Sequence, residues 1–110
     1  LAILDENAVI ATAKLTQYLL VPLPKDDKSQ FLAIAGYTLD NWQQLEQDLR
    51  EQILPLEAKL TMETSYGQKY VITGNLIGPN NKTIRVKTIW IVTNQVTRFV
   101  TLFPTKAVSE

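Results

Sequence analysis

Apolar positions along the chain follow two different periods, and the change falls near Pro55. In "NAVIATAKLTQYLL" Val9, Ala13, Leu15, Leu19 and Leu20 recur at helical spacing, with Asp5 or Asn7 as a cap. Ala8–Ala11 fits an extended segment equally well, so the helix is read from about Thr12 on. "VPLPKDD" is a loop, because Pro22 and Pro24 push their predecessors out of the helical region. "DKSQFLAIAGY" predicts a short helix that Asp27 caps, Phe31, Leu32 and Ala35 bury, and Gly36 ends. "TLDNWQQLEQDLREQIL" gives the clearest stripe: Leu39, Trp42, Leu45, Leu49 and Ile53. Glu46 and Arg50 sit one turn apart as a surface pair, and Pro55 ends the run.

Beyond Pro55 the period becomes two. "AKLTMETS" alternates Leu60 and Met62 against Lys59, Thr61 and Glu63. "QKYVITGNLIG" is rich in β-branched residues, and "GPNN" after it is turn chemistry. "KTIRVKTIWIVT" and "VTRFVTLF" follow, split by Asn94-Gln95. Helices first and hairpin-linked strands after predict an α+β fold: about three N-terminal helices packed on a C-terminal four-stranded antiparallel meander. The length fits one domain, residues 1–110.

With residues 78–81 and 94–95 as the two hairpin loops, alternation sorts the side chains. One face takes Val71, Thr73, Ile84, Val86, Trp90, Val92, Phe99 and Phe103, and is the face the helices would cover. The other takes Tyr70, Ile72, Gly74, Arg85, Lys87, Ile89, Ile91, Arg98, Val100 and Leu102. Such a face is aliphatic and basic together, unlike a plainly solvated one. A helix, a second subunit or a ligand would cover it. A slip of one residue in either loop undoes the assignment.

Charge sharpens this picture. The chain has no net charge, yet residues 1–57 carry four basic and nine acidic side chains, and residues 58–110 carry seven basic and two acidic. No acid occurs from Thr64 to Ser109. Such asymmetry suits an anionic partner for the basic half; the plainer reading is acidic helices docked on a basic sheet. The chain has no cysteine and no histidine, which removes disulfides, thiolate nucleophiles, Ser-His-Asp and Cys-His mechanisms, and the commonest metal ligands. Catalysis would fall to carboxylates, Lys, Arg, Tyr or hydroxyls. Asp26-Asp27 lacks a carboxylate partner at a usable spacing, and "GNLIGPNN" lacks the lysine and serine of a phosphate loop. No metal or cofactor is expected. Nor is a membrane span, and a cytoplasmic location is expected; Leu1–Ile10 is too short and acidic for a signal peptide.

"ENAVIATAKLTQYLLVP", "SYGQKYVITGNLIGPN" and "VKTIWIVTNQVTRFVTLFP" together resemble a family of small bacterial domains of unknown function, frequent in cyanobacteria and sometimes found at the end of larger toxin-like proteins. The motifs that carry the resemblance are Lys14–Leu20, Tyr66–Tyr70, Trp90-Ile91 and the run from Arg98 to Pro104. The helices-then-meander order is also similar to the fold of small ribonuclease toxins, the barnase, EndoU, colicin and RelE-like group. That likeness implies an exposed sheet face of basic and hydroxyl residues that cleaves RNA, although many of that group use histidine and this chain has none.

Each candidate residue has a plainer alternative. Arg85, Lys87 and Arg98 suit phosphate contact and stabilisation of a phosphorane-like transition state; otherwise they are solvated strand charges. Lys28 matches a recurrent loop lysine of the resemblance and would reach a phosphate; otherwise it is a surface lysine at a helix start. Tyr70 would stack on a base or donate a proton; otherwise it packs at the sheet. Thr101, paired with Thr88 across the hairpin, would position a substrate; otherwise it reflects β-propensity. Trp42 and Trp90 belong to the core. The reading is therefore a toxin-like RNA-binding or RNA-cleaving domain, metal-independent if an enzyme. The alternative is an interaction or dimerisation module for a small acidic, antitoxin-like protein, with a homo-oligomer as a further option.

Overall fold

In the computed structural model, which describes residues 2–105, helical elements come first and a four-stranded antiparallel sheet follows. Helix α1 opens as Thr12–Lys14 and widens into a π turn, Leu15–Leu19; α2 is Ser29–Ile34. A 3-10 turn, Leu39–Asn41, leads into α3, Trp42–Asp48, which also ends in a π turn, Leu49–Ile53. The strands are β1 Lys59–Thr64, β2 Gly67–Ile77, β3 Thr83–Thr93 and β4 Val96–Pro104, and their spatial order is their chain order. The fold is α+β with a meander sheet.

Both π turns have the same sequence cause. Leu15, Leu19 and Leu20, and again Leu49, Ile53 and Leu54, are spaced zero, four and five, and all six are buried. A π turn bonds each N–H five residues back, as Leu20 does to Leu15 and Leu54 to Leu49. The wider turn lets the fourth and fifth residues share one face. Helix α2 ends as expected at Gly36, whose φ of 93° closes a cap in which Tyr37 N–H donates to Leu32 and Gly36 N–H to Ala33. Asp27 lies just before α2 and accepts from the Ser29 hydroxyl at 2.7 Å and its N–H at 2.9 Å. These two bonds hold its carboxyl below the usual aspartate range. Ala8–Ile10 is extended rather than helical: Val9 bridges Arg98 in parallel and covers the free edge of β4.

The three helices do not share one seat on the sheet. The π turn of α3 packs on β2, and that of α1 packs against α3. Helix α2 docks on the β2–β3 loop, where Asn80 Nδ2 donates to Ile34 O at 2.9 Å. A Cβ on Gly78 would collide with the Ala35 carbonyl there. One continuous core joins Leu15, Leu19, Leu32, Leu45, Leu49 and Ile53 to Ile72, Leu76, Val86, Trp90, Phe99 and Leu102. Trp90 is fully buried, edge-on to Phe99, and its Nε1–H donates to Thr88 Oγ1 at 2.7 Å; Trp42 is only half-buried. Glu46 and Arg50 pair at 3.1 Å, half-exposed, and Arg50 also donates to Ala8 O.

The expected register is corrected on two strands. The β2–β3 loop runs from 78 to 82, one residue longer than 78–81, and Ile77 pairs with Thr83. That slip turns β2 over. Tyr70, Ile72, Gly74 and Leu76 face the helices, and Val71 and Thr73 face away. On β4 the register shifts opposite Ile89 and Trp90, so that Val100 is an extra residue. The bulge sends Leu102 into the core against Thr88 and Phe103 to the other face beside Lys87. Strand β3 lies as expected, as do Phe99 and Arg98.

Candidate functional site

Cross-strand partners share a face, so the register assembles the side of the sheet away from the helices row by row. Lys59, Val71, Ile89 and Thr101 form one row. Met62, Lys69, Ile91 and Arg98 form the next. On the other side of the first row lie Thr73, Lys87 and Phe103, and then Asn75 with Arg85. Five basic side chains thus surround an apolar centre of Val71, Ile89 and Ile91, and no acid belongs to these rows. Ile89 is only 6% exposed although it is not part of the helix-facing core.

Among the described residues, Arg50 with Glu46 is the only ion pair, so none of the five cations is neutralised by a carboxylate. Lys59, Lys87 and Arg98 are exposed, while Lys69 and Arg85 are half-buried. The Arg85 Nη1 donates to Asn75 Oδ1 at 3.0 Å across the strand pair. Its Nε is buried without a partner. One hydrogen bond thus ties the Arg85 guanidinium across the β2–β3 pair, on the face that also carries Lys59, Lys69, Lys87 and Arg98.

Arg85, Lys87, Arg98 and Thr101 share this face, in successive rows with Arg85 at one end and Arg98 at the other. Thr101 partners Ile89, not Thr88; Thr88 is buried behind it and donates to Ile72 O at 2.9 Å. Tyr70 lies on the opposite face, half-buried against the core, because of the extra loop residue. Lys28 is no surface lysine: it is 6% exposed. Its Nζ donates to the Tyr18 hydroxyl at 3.3 Å and lies 4.7 Å from the centre of the Phe103 ring. The β4 bulge presents Phe103 to it, which places Lys28 at the β4 border of the basic face.

Lys59 and Lys69 were missed by sequence reasoning. The alternation that found Arg85 and Lys87 would have found Lys69, had the loop been counted as five residues. Lys59 needed the pairing of β1 with β2, including its own bulge between Leu60 and Met62. Among the described residues no cluster of acidic side chains could hold a metal ion, and no helix is long and apolar enough to cross a membrane. Comparison with curated proteins and with solved structures finds no match. The family model for a domain of unknown function, DUF6883, matches residues 4–106, nearly the whole chain, and the protein belongs to that family.

Proposed function

We propose that the basic face of the sheet binds RNA and, with Arg85, Lys87 and Arg98, promotes its cleavage. The observation that carries the reading is the grouping of Lys59, Lys69, Arg85, Lys87 and Arg98 around Val71, Ile89 and Ile91 with no acid in the rows. Cations neutralise phosphates, and the half-buried Val71 and Ile91 suit the faces of unstacked bases. The chemistry would be attack of a ribose 2′-oxygen on the adjacent phosphorus, with departure of the 5′-oxygen. The 2′-hydroxyl proton ends on the leaving oxygen, and the products are a cyclic phosphate and a 5′-hydroxyl. That step needs neither histidine nor a metal in principle. It needs charge stabilisation at the pentavalent phosphorus, which fixed guanidinium and ammonium groups supply.

The test is a time course of the purified protein on bacterial RNA at low salt, beside an Arg85→Ala/Lys87→Ala/Arg98→Ala variant whose fold is checked. Turnover by the parent and none by the folded variant supports the reading. Binding without turnover narrows it to RNA recognition. Intact, unbound RNA in both lanes removes it. The partly exposed Val71 and Ile91 then favour the other reading, a docking face for a small acidic protein or for a second copy of the chain.

A further inference from the structure

A cleft of about 490 Å³ lies between α1 and β4. Its lining combines the polar residues Lys14, Gln17, Tyr18 and Thr101 with Ala11, Ala13 and Val100. The β4 bulge helps to make it, because the extra residue at Val100 turns Thr101 onto the face shared with Ile89. The cleft therefore borders the basic face.

Behind Tyr18 stands Lys28. Removing an ammonium from water is costly unless it is paired. Among the described residues Lys28 meets no carboxylate. It has the Tyr18 oxygen at 3.3 Å and two ring faces, Phe103 at 4.7 Å and Tyr18 at 5.1 Å. Rings attract a cation but leave its charge unneutralised. By accepting from Lys28, the phenol uses a lone pair and keeps its own proton to donate. Lys14, Gln17, Tyr18 and Thr101 thus line one cleft, with Lys28 against the Tyr18 hydroxyl, and no acid lines it.

From this arrangement we infer that the α1–β4 cleft is a phosphate-ester subsite. The phosphate of a nucleotide sits against Lys14, Tyr18 and Thr101, and the sugar or base rests on Ala11, Ala13 and Val100. The identity of the ester as a nucleotide rests on the RNA reading above. The arrangement of Lys28 and Tyr18 is independent of it.

The experiment is a titration of the protein with uridine 3′-monophosphate at low salt, followed by backbone amide NMR, with uridine as the uncharged control. Shifts are expected from Ala13 to Tyr18 and at Val100 and Thr101, and none of comparable size with uridine. Tyr18→Phe keeps the ring and removes the donor, and Lys28→Met keeps the bulk and removes the charge. Each is expected to raise Kd about tenfold, the usual effect of losing one bond to a charged group. The same spectra report whether each variant is folded, and Tyr18→Phe decides alone if Lys28→Met is not. No shift in the cleft, or an unchanged Kd in the folded variants, overturns the inference. A short single-stranded RNA reads the proposed function separately, through the amides of β3. If the RNA moves β3 while the nucleotide leaves the cleft still, the subsite falls and RNA binding stands. If the nucleotide fills the cleft while RNA ignores β3, RNA binding falls and the phosphate site stands.

Discussion

Asp48 is 7% exposed and accepts two donors, the Tyr37 hydroxyl at 2.6 Å and Gln44 Nε2 at 2.8 Å. Burial first, and the neighbouring carboxylate second, push the Tyr37 hydroxyl far above the ordinary tyrosine value of 10. The folded phenol therefore keeps its proton where the unfolded one loses it. Its contribution to stability is full below pH 10 and is lost as pH rises beyond that value toward the folded one. Tyr37→Phe leaves Asp48 with one donor fewer, and should lower stability at neutral pH by about 2 kcal/mol. Its stability should also fall less steeply than the parent's above pH 10, in urea melts run on both proteins across that range. Parallel curves would mean that Tyr37 is not the group responsible.

At the scale of elements, connections decide more than strands or helices do. Gly78 closes directly on the end of α2, where an added Cβ would meet the Ala35 carbonyl and lie 2.6 Å from the Ala35 Cβ. Neither is a flexible chain end, so α2 must move away. Gly78→Ala should cost about 2–3 kcal/mol and should speed hydrogen exchange in Ser29–Ile34 before it does so in the sheet. Uniform exchange across both would show that α2 is not docked through this loop. The β3–β4 turn has the opposite character. Asn94 and Gln95 both have positive φ, 51° and 66°, as a two-residue hairpin turn of the primed type requires. Asparagine tolerates this; glutamine does not, and Gln95→Gly should raise stability by about 1 kcal/mol by relieving it. A lower urea midpoint in that variant would contradict the assignment.

For the whole molecule, charge follows architecture. The sheet face away from the helices carries Lys59, Lys69, Arg85, Lys87 and Arg98, and most of the acids belong to the helical half. If all five cations meet phosphates of single-stranded RNA, the logarithm of the binding constant should fall with that of salt at a slope of about −3.5. Removing Arg85, Lys87 and Arg98 together should flatten the slope by about 2. Fluorescence anisotropy at several salt concentrations reads both values. A slope near zero would place the binding energy in apolar contact, as an interaction module would have it.

Sequence alone determined what depends on neighbours along the chain. Periods of three and four mark α3, a period of two marks the strands, and Gly36, Pro55 and Asn94-Gln95 mark the ends and turns, so the α+β order is legible from the residues themselves. So is the grouping of Arg85 and Lys87, because strand alternation is a local property. Only the tertiary structure decided which residues of different strands share a face. One more loop residue at Lys82 turned β2 over, removed Tyr70 from the basic face and added Lys69 to it. One bulge at Val100 exchanged Leu102 for Phe103 and so gave Lys28 its aromatic neighbour. The burial of Lys28 was equally invisible, since it depends on Tyr18, ten residues before it, and Phe103, far along the chain. The physical reason is that side-chain direction in a strand reverses with every residue, so an error of one in a loop or bulge inverts a face without altering any local pattern.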